Sequence, residues 1–207
     1  MNLAELNKVA EAMVAPGRGI LAADESSGTI KKRFDAIGVE STADSRRDYR
    51  ELLFRSSEAM SKVISGVILY DETIRQKAKD GTPLVKLIEN AGTIPGIKVD
   101  KGTKPLPFCP GEVITEGLDG LRERLVEYRG LGAKFAKWRA VIDIGRDIPS
   151  YAAIMTNANT EKNLEARIIR SISEGLWLKK KEIVFEFRLP VKKKRKRHAI
   201  GIIWRAR

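Results

Sequence analysis

The sequence predicts an α/β protein built on a parallel sheet, because short apolar runs alternate with longer segments of helical period. The apolar runs begin near small residues and end in charged ones, as buried parallel strands do. They cover residues 19–25, 66–72, 96–100 and 133–139. Length is a third observation: 207 residues suffice for one domain with a buried core, whereas a closed eight-unit barrel usually takes about 250 residues.

The segments between these runs are amphipathic and predict helices. Residues 42–62 and 118–131 carry apolar side chains at helical spacing: Tyr49, Leu52, Leu53 and Met60 in the first stretch, Leu121, Leu125 and Tyr128 in the second. Pro83, directly after Thr82, predicts a capped helix start with proline in the first turn.

Alternation of this kind fits either an open doubly wound sheet or a closed barrel. Two features favour the barrel. Each predicted strand ends in charged residues, on the side where barrel enzymes assemble their sites, and no glycine-rich dinucleotide fingerprint follows the first strand. Since four of eight units are visible before residue 150, the predicted fold is a partial TIM (β/α)8 barrel, its first four strand–helix units, with an unrelated basic tail.

Positive charge is concentrated in that tail. Residues 158–207 hold 15 basic and 5 acidic residues, a net charge of +10, whereas residues 1–157 hold 24 basic and 22 acidic ones. Residues 192–197 form a run of six positive charges. Within the tail, residues 160–176 predict a helix, residues 183–189 alternate as in a strand, and the apolar run 199–204 admits a second strand.

Composition excludes several classes of protein. Cys109 is the single cysteine, so no internal disulfide can form, and the first 14 residues lack the basic-then-apolar order of a secretory signal. No apolar run approaches the roughly 18–20 residues of a membrane span. Cys109 and the single histidine, His198, offer no cluster of metal ligands. We therefore expect a cytoplasmic protein with no membrane partner and no metal site.

Charged side chains gather at the predicted strand ends. Asp24 closes the first strand, and alternation places Lys98 with Asp100 on one face and Lys137 with Arg139 on another. Such a density of charge is costly unless the groups pair with one another or bind an anion. A site for a phosphorylated substrate explains the pattern, and so does a set of ion pairs in a polar core; spacing alone leaves both open.

Four segments resemble signature segments of class I fructose-bisphosphate aldolase. They are Leu-Ala-Ala-Asp-Glu-Ser at 21–26, Gly-Ile-Lys-Val-Asp-Lys-Gly at 96–102, Gly-Leu-Asp-Gly-Leu at 117–121 and Phe-Ala-Lys-Trp-Arg at 135–139. They occur in the family's order, and supporting stretches at 14–19, 66–70 and 153–159 extend the resemblance across residues 3–159. The resemblance is to the N-terminal part of the family.

The resemblance implies a (β/α)8 barrel that reversibly cleaves fructose 1,6-bisphosphate to dihydroxyacetone phosphate and glyceraldehyde 3-phosphate in glycolysis. It implies a lysine Schiff base and no cofactor, since a protonated imine supplies the electron sink. Catalytic roles fall to Asp24, which handles substrate hydroxyls and protons, and to Lys137, beside the Schiff base. Substrate-binding roles fall to Ser26, Thr29, Lys32, Arg33, Lys98, Asp100 and Arg139. The partner implied is a sugar bisphosphate, and a homo-oligomer is open because family members are commonly tetramers.

The resemblance stops at residue 159. Thr156 stands where the family has glutamate, and no signature of the fifth strand or of the sixth, which bears the Schiff-base lysine, follows. We therefore expect residues 1–159 to be the N-terminal part of an aldolase-type barrel and 160–207 to be a divergent tail, in a truncated chain with no Schiff-base lysine that is inactive alone. Exposed strand edges would then favour association.

Three interpretations of the tail stand. It is the product of an intron read-through, a frame shift or a broken gene, which we favour because it contributes nothing that the barrel needs. Alternatively, residues 190–197 are a nuclear-import segment. Thirdly, the same basic cluster binds phosphates of nucleic acid by counterion release. The last two make the chain a non-enzymatic basic protein.

Overall fold

A computed structural model describes residues 3–172 and 197–202 of the chain. They belong to two compact units. We call Asn2–Lys98 with Glu127–Ala136 the N-terminal unit, and Val99–Val126 with Lys137–Arg207 the C-terminal unit. Each unit is described by itself below.

The N-terminal unit holds three parallel strands and the helices that connect them. The strands are β1 (Gly19–Ala23), β2 (Ile64–Leu69) and β3 (Ile94–Lys98), and the helices are α1 (Leu3–Met13), α2 (Ser27–Asp35), α3 (Ala43–Phe54), α4 (Ser57–Val63), α5 (Asp71–Arg75) and α6 (Leu84–Asn90). Ala23 lies opposite Leu69, and Leu69 lies opposite Ile97. Because the strands are parallel and in this register, their carboxyl ends align at one edge of the sheet.

Burial of apolar side chains stabilises this sheet. Val67, Leu69 and Ile97 are buried within it, and helix α6 adds Leu84 and Ile88 to the core. Parallel strands that are covered by helices become near-continuous apolar runs, which is the pattern that predicted them. The ends of β1 and β2 break the pattern because polar and charged residues follow there.

The C-terminal unit contains a hairpin, two further strands and a long helix. Its elements are β4 (Thr103–Pro105), β5 (Val113–Thr115), most of β6 (Phe135–Asp143), α8 (Tyr151–Ile172) and β7 (Arg197–Ile202), and α7 (Leu121–Gly130) begins in it. Strands β4 and β5 pair antiparallel, and so do β6 and β7, with Trp138 opposite Ile202. Helix α8 packs against β5, where Asn157 Nδ2 donates to Val113 O at 3.2 Å.

The predicted alternation of strands and helices is confirmed, with shifted boundaries. The four predicted strands correspond to β1, β2, β3 and β6. The sequence did not predict the β4–β5 hairpin, whose strands are only three residues long. Strand β3 begins at Ile94 and ends at Lys98, so Asp100 lies beyond it.

Two helix predictions need correction. Residues 42–62 form two helices with a break at Arg55 and Ser56, and Leu52, one of the apolar residues at helical spacing, is 70% exposed. Thr42 caps α3 by accepting a hydrogen bond from Ser45 N at 3.0 Å. Pro83 is the N-cap of α6 rather than a residue of its first turn, and Thr82 precedes the cap.

Helix α8 starts at Tyr151, before the predicted tail, and continues to Ile172, across the predicted boundary at residue 159. The division of the chain at that residue stays a prediction. The predicted strand 183–189 lies outside the described residues, and the apolar run 199–204 corresponds to β7 as far as Ile202. Among the described residues, no helix combines the length and apolar character needed to cross a bilayer.

Candidate functional site

Two predicted site residues lie at the carboxyl edge of the sheet in the N-terminal unit. Asp24 directly follows β1, and Lys98 is the last residue of β3. Strand β2 lies between them, so their backbones are two strand spacings apart, about 10 Å. Both residues are half-buried. This edge is where parallel α/β enzymes place their reactive groups.

Just after the ends of β1 and β2 lies a network of arginine and glutamate side chains that the sequence had not revealed. The Arg50 side chain is fully buried; its Nη2 donates to Glu25 O at 2.8 Å and its Nη1 to Glu72 Oε2 at 3.1 Å. Arg46 Nη2 donates to Glu72 Oε1 at 2.6 Å. We call Arg33, Arg46, Arg50, Glu25 and Glu72 the arginine–glutamate network.

Hydrogen bonding and burial act in opposite directions on this network. The hydrogen bond from Arg46 is the main cause that lowers the pKa of the Glu72 carboxyl, against burial, which raises it. Burial lowers the pKa of the Arg50 guanidinium, and the hydrogen bond to Glu72 opposes that change. Arg46 and Arg50 are four residues apart on α3, which puts them on one helix face. That spacing was the signal in the sequence that could have indicated the network, but it does not show which glutamates the two arginines bind.

Helix α2 carries hydroxyls at its start, and its cations Lys32 and Arg33 lie in its last turn. Ser26 Oγ and Thr29 Oγ1 are 3.1 Å apart, and Arg33 forms an ion pair with Glu25. Thr29 and Lys32 are exposed, and the first turn of α2 has no acidic residue. A helix start with hydroxyls and no carboxylate in its first turn favours an anion, and the Arg33 guanidinium reaches back toward that start through its ion pair with Glu25.

In the C-terminal unit, Lys137 and Arg139 lie two residues apart in β6 and share a face. Trp138 between them is 1% exposed, on the opposite face. The Arg139 carbonyl accepts a hydrogen bond from Thr115 Oγ1 at 2.9 Å, and the Lys137 carbonyl accepts one from Val99 N at 3.0 Å. Strand β6 thus places Lys137 and Arg139 on one face, as the sequence predicted.

Asp100 does not lie on a strand face with Lys98, as predicted, because β3 ends at Lys98. Asp100 is instead buried in the irregular segment after β3, where its Oδ1 accepts a hydrogen bond from Gly102 N at 3.3 Å. The segment 99–102 is held from several sides: Arg124 Nη1 donates to Val99 O at 3.1 Å, and Lys101 N donates to Glu116 O at 2.8 Å. Asp100 is therefore a fixed carboxylate in this unit.

The predicted site residues fall into two groups: Asp24, Ser26, Thr29, Lys32, Arg33 and Lys98 in the N-terminal unit, and Asp100, Lys137 and Arg139 in the C-terminal unit. Their function as one site stays a prediction. Within the described ranges, no group of three or more His, Cys, Asp or Glu residues could hold a metal ion.

Comparison with known proteins identifies the family. The family model of class I fructose-bisphosphate aldolase matches residues 5–168. The chain belongs to this family. The match begins in α1 and ends in α8, so it includes every residue of both site groups. It extends nine residues beyond the predicted limit at 159, into α8.

Curated members of the aldolase family are similar to most of this chain. A probable fructose-bisphosphate aldolase class 1 of Xanthomonas campestris pv. campestris is 60% identical over 159 residues, which are 77% of this chain and 47% of the relative. Fructose-bisphosphate aldolase C of Carassius auratus is 56% identical over 155 residues, 75% of this chain and 43% of the relative. The chain therefore spans about half the length of these aldolases.

A solved aldolase has the same fold over the shared part. It is fructose-bisphosphate aldolase from Plasmodium falciparum, in complex with TRAP and a small-molecule inhibitor. The TM-score is 0.78 at 45% sequence identity, and the likeness covers 82% of this chain and 49% of that chain. The predicted fold, a partial TIM barrel of the aldolase type, is confirmed.

Proposed function

We propose that this chain carries the first part of a class I aldolase site for fructose 1,6-bisphosphate. Asp24 and Lys137 have the catalytic roles, and Lys98, Asp100 and Arg139 bind substrate. The observation that carries the proposal is the family match over residues 5–168, which includes all these side chains. Asp24 and Lys98 also lie at the carboxyl edge of the parallel strands β1 and β3, where barrel enzymes place such groups.

Helix α2, with the hydroxyls at its start and the cations of its last turn, is the proposed contact for one phosphate of the sugar. Ser26 and Thr29 offer hydroxyls, and Lys32 and Arg33 offer positive charge from an exposed helix face. A phosphate dianion gains charge-assisted hydrogen bonds from such groups and from the helix start. Lys98, on β3, is the proposed cation from the sheet edge of the same unit.

The chain alone is proposed to be inactive in cleavage. Imine chemistry needs an amine opposite Lys137, and the resemblance assigns that amine to the sixth strand of the family barrel. The family match includes β1, β2, β3 and β6 but ends at residue 168. Lysines of the tail correspond to no signature of the family, so none is proposed as the nucleophile.

Borohydride trapping tests this proposal. The purified chain is incubated with dihydroxyacetone phosphate, reduced, and analysed by peptide mass spectrometry, with a full-length aldolase as the positive control. We expect labelling of the control and none of this chain. A stable adduct on any lysine of this chain, or turnover of fructose 1,6-bisphosphate at an enzymatic rate, would contradict the proposed inactivity.

The proposed setting is the cytosol, where glycolytic aldolases meet their substrate, and the proposed assembly is a homo-oligomer. Light scattering of the purified chain measures its mass in solution. A monomer at all concentrations would refute the oligomer, and fractionation with an organelle would refute the location.

The charge of the tail supports a second candidate function, binding of nucleic acid. Residues 158–207 carry a net charge of +10, with six consecutive positive residues at 192–197. Binding through phosphates would weaken steeply with salt. Deletion of residues 190–197 should abolish it; binding that survives this deletion would exclude the tail cluster as its cause.

A further inference from the structure

The ion pair between Glu25 and Arg33 joins a buried group to an exposed one. The Glu25 side chain is 6% exposed, whereas the Arg33 side chain is 57% exposed. Arg33 Nη1 donates to Glu25 Oε1. Because a buried carboxylate without a cation is costly, the pair ties the long Arg33 side chain to a fixed point of the fold. More than half of the Arg33 side chain still faces solvent.

Glu25 itself is fixed by the arginine–glutamate network. Its carbonyl accepts a hydrogen bond from the buried Arg50 at 2.8 Å. Arg50 is held in turn by Glu72 on α5, and Glu72 is bound by Arg46 on α3. The residue that anchors Arg33 is therefore secured by packed helices and by the end of β1.

We infer that Glu25 is a positioning residue for phosphate binding: its carboxylate orders the Arg33 guanidinium before the anion arrives. The inference rests on the proposed function, which assigns Arg33 to a substrate phosphate. An arginine without an anchor must be ordered during binding, which costs roughly two- to tenfold in affinity. With the anchor, this loss is removed, and the exposed part of the guanidinium meets the phosphate.

The substitution Glu25→Gln tests the inference through the sign of its effect. The probe is inorganic phosphate, titrated into the purified chain and followed by NMR. Removal of a negative charge near a phosphate site should strengthen binding if simple electrostatics decides. If Glu25 orders Arg33, Glu25→Gln should instead weaken phosphate binding by roughly three- to tenfold. Unchanged or tighter binding overturns the inference.

The matched control is Asp35→Asn. Asp35 also accepts from a basic residue of α2, Lys31 Nζ, at 2.8 Å, but both partners lie on the surface. The change in net charge equals that of Glu25→Gln. We expect phosphate binding to be unchanged or slightly tighter. Weakening of the same size in both variants would show that the effect is not specific to Glu25 and would overturn its role.

A second readout separates this inference from the proposed function. The side-chain ¹⁵N signals of Arg33 report whether its guanidinium rotates freely, with or without phosphate. We expect hindered rotation in the parent chain and averaging in Glu25→Gln; equal signals in both overturn the inference. If Arg33→Met binds phosphate as tightly as the parent, the proposed function of Arg33 fails, whatever the ¹⁵N signals show.

A variant that keeps the charge guards against misfolding of Glu25→Gln. Glu25→Asp retains the carboxylate but withdraws it by one methylene group, so the ion pair with Arg33 should loosen. We expect weaker phosphate binding and partly averaged Arg33 signals. If Glu25→Asp has the phosphate affinity and the Arg33 signals of the parent chain, the length of the Glu25 side chain does not matter, which contradicts the inference.

Discussion

The ring of Phe135 occupies the space that a side chain at Gly96 would need. A Cβ atom at Gly96 would lie 2.3 Å from Phe135 Cζ, and one at Gly66 would lie 3.1 Å from Phe135 Cε1. Lys134 N donates to Pro95 O at 2.8 Å, which brings the start of β6 beside β3 within the N-terminal unit. Two glycines in neighbouring strands thus make room for one aromatic ring.

Gly96→Ala is expected to lower the free energy of unfolding by about 1–3 kcal/mol, the usual cost of overpacking. The inserted methyl group would meet three ring atoms of Phe135 within 2.5 Å, on rigid strands that cannot separate without loss of hydrogen bonds. Urea unfolding followed by circular dichroism measures the change.

Gly19→Ala is the control for this substitution, since nothing lies within 4 Å of its added Cβ atom in β1. We expect a change below about 0.5 kcal/mol. Phe135→Leu in the Gly96→Ala background should recover part of the lost stability, because the leucine side chain is smaller than the phenylalanine ring. A Gly96→Ala protein as stable as the parent would show that the ring moves away freely.

The positions of the strands could be predicted from sequence because apolar runs ending in charge are local signals. The same holds for Lys137 and Arg139, whose shared face follows from the period of a strand. Helix breaks and the partners of charged side chains could not be predicted, because they depend on residues distant in the sequence. Arg55 and Ser56 interrupt a stretch whose apolar spacing continues, and Arg55 pairs with Asp80, 25 residues away.

The arginine–glutamate network shows the same limit within the candidate site. Arg46 and Glu72 are 26 residues apart, and Arg50 reaches the backbone of Glu25, 25 residues earlier. Which glutamate a helix arginine meets depends on how α3 packs on the sheet, and charge spacing does not encode that. The prediction that Asp100 shares a strand face with Lys98 was wrong for a related reason. The strand pattern continues in the sequence beyond Lys98, but β3 ends there.

Arg50→Met should lower the free energy of unfolding by about 2–4 kcal/mol. It leaves Glu25 O without its buried donor and removes one of the two guanidinium groups bound to Glu72. Thermal or urea unfolding checks the prediction.

Arg47→Met is the control on the same helix. Arg47 pairs with Asp44 and Asp48 within its own helix, and such local pairs contribute less than about 1 kcal/mol. Equal losses in the two variants would contradict a special role for the buried guanidinium.

Glu72 should make stability depend on pH. Hydrogen bonding from Arg46 holds the pKa of the Glu72 carboxyl below its ordinary value in the fold. The carboxylate therefore contributes stability that is fully present above the unfolded-state pKa and is lost as pH falls through the lower, folded-state pKa. The difference in unfolding free energy between the parent and Glu72→Gln should be largest at neutral pH and shrink below about pH 4.

Urea unfolding at pH 7 and at pH 3 measures that difference for Glu72. Glu58→Gln serves as the control, because Glu58 pairs with Lys62 on an exposed face of α4 and should contribute little at pH 7. A difference for Glu72→Gln that grows on acidification would mean that the carboxylate is not stabilised in its charged form.

Asn157→Ala should loosen α8 from the β4–β5 hairpin in the C-terminal unit. Asn157 is 2% exposed; its Nδ2 donates to Val113 O at 3.2 Å and to Ala153 O at 3.0 Å, and its Oδ1 accepts from Thr115 N at 3.5 Å. The loss of these buried hydrogen bonds is expected to cost about 1–3 kcal/mol. Hydrogen exchange should show faster exchange of the β5 amides. In the control Asn159→Ala, on the exposed side of the same helix, stability should change by less than about 0.5 kcal/mol. If β5 exchanges equally in both variants, Asn157 does not hold the hairpin, and the contact of α8 with β5 depends on apolar packing instead.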